Sequence, residues 1–276
     1  MKAYTVDLTK EYPFLQGGKL QCIAMEQPWD AVRDWRRPAL VVVPGGGYGM
    51  CSKREAEPIA TEFLTRGFQV FVLTYLCAPQ GVRYPEQLFE LSAAVDYVKK
   101  HADEFNVNPD EVFAIGFSAG GHLTANLAVD CETVSKTVGV QLNCKPTAVG
   151  LCYPVISQKH GHQGSYNNLL QGYTEAEKTE LLKKLNLDEV VTEHTPPAFI
   201  WATATDGAVP ADNALRYALA LDKKGVSYEL HIYPDGGHGL STGSLEINAP
   251  SVGLERIKPW INDCTAFFRR YIQEIF

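Results

Sequence analysis

Six short β-rich runs recur along the chain, at residues 39–43, 68–73, 112–116, 148–153, 197–202 and 228–233, with helix-spaced segments between them. Runs such as Ala39-Leu40-Val41-Val42-Val43 are apolar on both faces, as expected of strands covered by helices on each side. Leu88, Leu91, Val95 and Val98 fall three or four apart and predict a helix, with Pro85 near its start. Leu215, Leu219 and Leu221 predict another, closed by Lys223-Lys224-Gly225. Residues 257–272 read as a terminal helix. Strand and helix in steady alternation predict an α/β fold with a mostly parallel central sheet. Residues 4–8 and 20–24, joined through Gly17-Gly18, are expected to pair antiparallel at one edge, within 1–25. Residues 155–195 are long and polar, with one helical patch at 175–187 and too few apolar residues for a separate core. They read as a cap-like insertion over the sheet, so that 1–276 forms one domain.

Charge and cysteine usage narrow the function. A net charge of -7, with no basic run to offset it, argues against nucleic acid or an anionic membrane as partner. No stretch approaches the roughly 18 apolar residues of a bilayer span. The first residues, Met1-Lys2-Ala3-Tyr4-Thr5-Val6-Asp7, lack the apolar segment of a secretory signal. Seven cysteines, odd in number and scattered, predict reduced thiols and a cytoplasmic location. Nothing in the pattern specifies an oligomeric state.

The most informative segment is Gly116-Phe117-Ser118-Ala119-Gly120-Gly121, between an apolar run and a helical pattern. That context gives Gly-x-Ser-x-Gly meaning: a serine on a tight strand-to-helix turn is exposed as a nucleophile, with a helix N-terminus behind it. Without such flanks the same residues would be a glycine-rich turn with an incidental serine.

Serine needs a base, and the chain offers seven histidines. His238, in Asp235-Gly236-Gly237-His238-Gly239, follows the sixth run directly and lies where an α/β sheet gathers its functional groups. His122 is expected in the first helical turn after Ser118 with a packing or hydrogen-bonding role, and His231 within a strand. His160 and His162 have no evident third ligand, so no metal site is expected. Asp206 follows the fifth run and is preferred as the acid that orients the imidazole. Asp235 competes with it by proximity, and so does Asp212, which suits a helix start. Pro44-Gly45-Gly46-Gly47-Tyr48-Gly49 follows the first long run and is expected to supply an oxyanion hole from Gly46 and Gly47, together with the N–H of Ala119. A phosphate loop would end in Gly-Lys-Ser/Thr, which is absent here.

Together these segments resemble bacterial α/β-hydrolase esterases, the acetyl esterases and carbohydrate esterases related to the hormone-sensitive-lipase branch. The likeness rests on Pro44-Gly45-Gly46-Gly47-Tyr48, Ser52-Lys53-Arg54-Glu55-Ala56-Glu57-Pro58, Gly116 to Leu123, Thr195-Pro196-Pro197, Asp206 with Val209-Pro210, and Gly236-Gly237-His238-Gly239. It implies an α/β-hydrolase fold, a triad of Ser118, Asp206 and His238, no cofactor, and short acyl groups, often acetyl on sugars. Some relatives carry xylanase labels, but cleaving a sugar bond needs two flanking carboxylates, and this pattern supplies a triad instead. Two positions depart from the pattern: Pro44 where the lipase branch has His, and Thr205 where relatives often have a second acid.

The expected function is hydrolysis of small carboxylic esters, with an acetylated sugar or similar small molecule as partner. Amide hydrolysis on the same triad, as in a formamidase or small peptidase, is the alternative. A non-catalytic binding protein on the same fold is the third. Tyr48, Phe117 and Tyr153 are expected to line the substrate pocket, with Tyr84 and Trp201 as further aromatic candidates.

Overall fold

The computed structural model describes residues 1–28, 30–31, 36–251 and 253–273. Eight strands form one sheet: β1 (Lys2–Asp7), β2 (Lys19–Ala24), β3 (Arg37–Val43), β4 (Gln69–Thr74), β5 (Val107–Phe117), β6 (Val149–Cys152), β7 (Ala198–Thr203) and β8 (Tyr228–Tyr233). Their order is β1-β2-β4-β3-β5-β6-β7-β8. All pairs from β4 to β8 are parallel, while β1 and β2 run antiparallel at one edge. The helices are α1 (Glu57–Leu64), α2 (Glu86–Lys100), α3 (Ala102–Phe105), α4 (Ala119–Val138), α5 (Gln163–Leu169), α6 (Glu175–Leu185), α7 (Asp212–Lys223), α8 (Leu254–Ile257) and α9 (Trp260–Arg269). No helix among the described residues is long and apolar enough to cross a membrane.

Alternation along each strand splits the core in two. Val41, Val43, Ala114, Ile200 and Ala202 face the helices α2, α4 and α7, packing with Leu91, Val95, Leu123, Leu127 and Tyr217. Their neighbours Val42, Phe113, Phe117, Phe199 and Trp201 face α1 and α9, packing with Phe63, Trp260 and Phe268. A strand covered on both faces must be apolar at successive positions, which is why these runs read as unbroken. The aromatic side is fully buried, and each Phe there contributes about 1.5–3 kcal/mol relative to exposure.

Two segments show how far local pattern reaches. The terminal helix expected over 257–272 is α9, which starts at Trp260 with Pro259 at its N-cap, and a short α8 ends at Ile257 before it. Proline has no N–H to donate and its ring crowds the preceding turn, so the α-helical ladder restarts there. Residues 155–195 form no core of their own: Val155, Ile156, Tyr166, Leu169, Leu185 and Leu187 join the main cluster beside α4 and α7. All seven cysteines are free thiols, six of them buried.

Candidate active site

β5 ends at Phe117 and α4 begins at Ala119, so Ser118 makes the whole reversal alone. Its φ of 53° and ψ of -116° lie where non-glycine residues are strained by about 1–3 kcal/mol. Three bonds hold that shape. The Ser118 N–H donates to the Cys152 carbonyl at 3.0 Å, and its carbonyl accepts from the His122 and Val155 N–H groups at 3.1 Å each. Close approach explains the flanking glycines. A Cβ at Gly116 would lie 2.2 Å from the Gly120 carbonyl oxygen, and one at Gly120 would lie 2.2 Å from that of Val43.

The structure brings Ser118, His238 and Asp206 together. Asp206 Oδ2 is 2.6 Å from His238 Nδ1, and His238 Nε2 is 2.7 Å from Ser118 Oγ. An ionised carboxylate only accepts, so Nδ1 carries the proton and Nε2 is left to accept from the serine hydroxyl. Asp206 is buried, and its Oδ1 accepts from the Ala208 and Val209 N–H groups at 2.9 Å each. These bonds fix the carboxylate and satisfy its charge away from water. Thr205, at the position where an acid was expected from the resemblance, ties the two loops together. Its hydroxyl donates to the Gly236 carbonyl at 3.0 Å and accepts from the Gly236 N–H at 2.9 Å. The other departure, Pro44, leaves a carbonyl that accepts from the Tyr75 hydroxyl at 2.8 Å.

Gly46 and Gly47 follow the end of β3 and have φ of +118° and +62°. They line a cleft of about 270 Å³ with Ser118, His238, Met50, Ser52, Arg54, Glu55, His162, Ala208, Val209 and Gly239. Among the described residues, the N–H groups of Gly46, Gly47 and Ala119 have no hydrogen-bond partner. Donors left unpaired beside a nucleophile are what a developing oxyanion requires.

Tyr48, Phe117 and Tyr153, expected along the pocket, lie behind the cleft instead. All three are buried and none lines it. The Tyr48 hydroxyl is 2.8 Å from His122 Nδ1. Phe117 points away from Ser118 into the aromatic side of the core against Trp260, because neighbouring residues on a strand face opposite ways. Tyr153 donates its hydroxyl to Glu55 Oε1 at 2.7 Å, and its ring sits edge-on to His238 at 5.1 Å. His122 is fully buried, with Nε2 3.0 Å from the Leu185 carbonyl, and burial pushes its pKa down to about 4. His231 bonds Glu229 at 2.8 Å. His160 pairs with Asp212, which opens α7, while His162 caps α5 by accepting from the Ser165 N–H at 3.2 Å. Asp206, rather than Asp235 or Asp212, is the carboxylate bonded to His238.

Glu55 and His162 are cleft residues that local pattern did not single out. Glu55 lies within the Ser52–Pro58 motif, whose residue types point to no role for it, and the His160/His162 pair suggests from sequence only a metal ligand. Both reach the cleft from segments far from Ser118 in sequence, so spacing carries no signal of their position.

The BD-FAE family model matches residues 29–221 of the chain. Endo-1,4-beta-xylanase B of Butyrivibrio fibrisolvens is 34% identical over 218 residues, 77% of this chain and 34% of that protein. An acetylxylan esterase of Xylanibacter ruminicola is 33% identical over 213 residues, 75% of this chain and 42% of that protein. The chain thus spans about a third of the first relative and about two fifths of the second. Among solved structures, an acetyl ester-xyloside bifunctional hydrolase from Caldicellulosiruptor lactoaceticus superposes with a TM-score of 0.82 at 29% identity, covering 97% of this chain and 96% of that one.

Proposed function

This chain belongs to the BD-FAE family of α/β-hydrolases, and from that premise we propose that it is a serine esterase releasing short acyl groups, above all acetyl, from a sugar or similar small alcohol. The observation that carries the reading is the line from Asp206 through His238 to Ser118, at 2.6 and 2.7 Å, beside the unpaired N–H groups of Gly46, Gly47 and Ala119.

In this mechanism Ser118 Oγ attacks the ester carbonyl carbon while His238 Nε2 takes the hydroxyl proton. Asp206 holds the imidazole in the tautomer that can accept, and stabilises the imidazolium that results. The carbonyl oxygen becomes an oxyanion and takes the three backbone N–H groups, each donor contributing about 3–4 kcal/mol to the transition state. His238 then returns the proton to the departing alcohol, leaving an acyl-serine. Water, deprotonated by His238, repeats the sequence and frees the acid.

The small cleft, bounded by Met50, Val209 and His162, supports a short acyl group. The relatives named as an acetylxylan esterase and an acetyl ester-xyloside hydrolase support an acetylated saccharide as substrate. The xylanase name of the other relative belongs to a protein about three times the matched length. Glycosidic cleavage at this site would need two carboxylates astride the sugar bond, and Asp206 is spent on His238.

Para-nitrophenyl esters from acetyl to octanoyl, assayed with the wild type and Ser118→Ala, test the reading. The wild type is expected to prefer acetate, and the variant to lose about 10⁶ in rate. Turnover retained by Ser118→Ala, or a preference for octanoate, overturns it.

A further inference from the structure

Glu55 is a buried carboxylate that the acyl-transfer steps above do not use, yet it lies in the wall of the same cleft. Its two oxygens grip two different parts of the site. Oε2 accepts from the Gly45 N–H at 2.8 Å. Gly45 opens the glycine loop and packs so tightly on the nucleophile that a Cβ there would lie 3.0 Å from Ser118 Cβ. Oε1 accepts from the Tyr153 hydroxyl at 2.7 Å, and that hydroxyl accepts from the Ser241 N–H at 3.1 Å. Ser241 lies three residues after His238, and its own hydroxyl donates back to the Arg54 carbonyl at 2.5 Å. One carboxylate therefore joins the glycine loop, the end of β6 and the loop that carries the imidazole. It also reaches the backbone next to that imidazole: a Cβ at Gly239 would lie 3.9 Å from Glu55 Oε1.

We propose that Glu55 is a second carboxylate of the site, a positioning residue that sets the glycine loop through Gly45 and the His238 loop through Tyr153, and whose charge favours the imidazolium formed during acyl transfer. The inference rests on the serine-esterase reading. Burial raises the Glu55 carboxyl above the usual range, while the bonds from Tyr153 and Gly45 and the nearby His238 and Arg54 act in the opposite sense. Both bonds come from groups placed to donate, so each favours the ionised form. The titratable and charged groups facing this pair are Tyr153 from the end of β6, Asp206 behind the imidazole, His162 from the insertion, and Arg54. Arg54 is drawn off by its bond to Asn248 Oδ1 at 2.8 Å. Asp206 is thus bonded to the His238 ring, and Glu55 is linked to it through Tyr153, whose ring lies edge-on to the imidazole.

The pH dependence of kcat and kcat/KM for a short ester separates this role from simple support. Glu55→Gln keeps the shape and an acceptor for Gly45 but removes the charge. It is expected to lower kcat about 10- to 100-fold with KM little changed. Its acid limb of kcat/KM should move about half a pH unit lower, because a neighbouring negative charge that favoured imidazolium is gone. Glu55→Asp should return the limb toward the wild-type position, and Tyr153→Phe should lower kcat without moving it. A Glu55→Gln variant with the wild-type kcat and limb overturns the proposal, as does a Tyr153→Phe variant that shifts the limb equally. Should the wild type turn over no ester, the esterase reading falls, and the rate at which a fluorophosphonate modifies Ser118 becomes the readout for the same variants. Equal, pH-parallel modification rates in wild type and Glu55→Gln, or no modification at all, overturn the Glu55 role on its own terms.

Discussion

Two histidines flank Ser118 from different elements, His122 in the first turns of α4 and His238 in the loop after β8. The ring is the same and the surroundings are opposed. His122 is 1% exposed, its Nε2 faces a carbonyl that can only accept, and its Nδ1 therefore accepts from the Tyr48 hydroxyl. No carboxylate among the described residues bonds it, so a proton added there would be a buried charge without a counterion. His238 has a carboxylate on Nδ1, a hydroxyl on Nε2 and an open side toward the cleft. A histidine beside a nucleophilic serine is thus not a base by position. It becomes one when the partner of its second nitrogen can hold the positive charge.

The sharpest test of that contrast is to remove each ring in turn. His238→Ala should fold normally and lose about 10⁶ in kcat on a short ester, as expected of a residue acting as one unit with its serine. His122→Ala should keep kcat within about tenfold and instead lose about 2–4 kcal/mol of stability, through a cavity and an unpaired Tyr48 hydroxyl, with the Leu185 carbonyl keeping only its 3.3 Å bond from the Tyr166 hydroxyl. Denaturant unfolding alongside ester kinetics checks both, and a His122→Ala variant that is stable but inactive would erase the distinction. The next effect is a pH dependence. The His122 pKa falls from an ordinary 6.5 to about 4 on folding, so the unfolded chain binds more protons between those values. Its contribution is intact above pH 6.5 and is lost as the pH falls toward 4. The stability gap between wild type and His122→Ala should therefore shrink by about 3 kcal/mol over that window. The smallest effect is expected at Thr205, which serves the His238 side alone. Thr205→Val removes two bonds to Gly236 and should lower kcat by about three- to tenfold, with about 1 kcal/mol of stability lost.

The grouping of Ser118, Asp206 and His238 was legible from sequence because each is marked by its own local segment. The Ser118 turn needs a strand, small residues and a helix in direct succession, and all three are visible in a dozen letters. Asp206 and His238 were legible because each follows a strand of a parallel sheet at once, and parallel strands bring their carboxyl ends to one edge. The aromatic candidates failed for an equally physical reason. Tyr48, Phe117 and Tyr153 adjoin the site in sequence, but at a strand end or a tight turn the neighbouring side chain points away, here into the core. Glu55 was legible as part of a motif and not as a participant, since its partners Gly45 and Tyr153 lie 10 and 98 residues away.

What the sequence determined by itself was the set of apolar strands and the place of the turn at Ser118, since each is marked by residues within a few positions of one another. Only the tertiary structure decided which carboxylates meet His238, which N–H groups remain unpaired beside Ser118, and that the insertion lends His162 to the cleft. Those depend on distances across strands and loops that no linear spacing encodes. A hydrogen bond of 2.6 Å between Asp206 and His238 exists only when the sheet has brought β7 and β8 side by side.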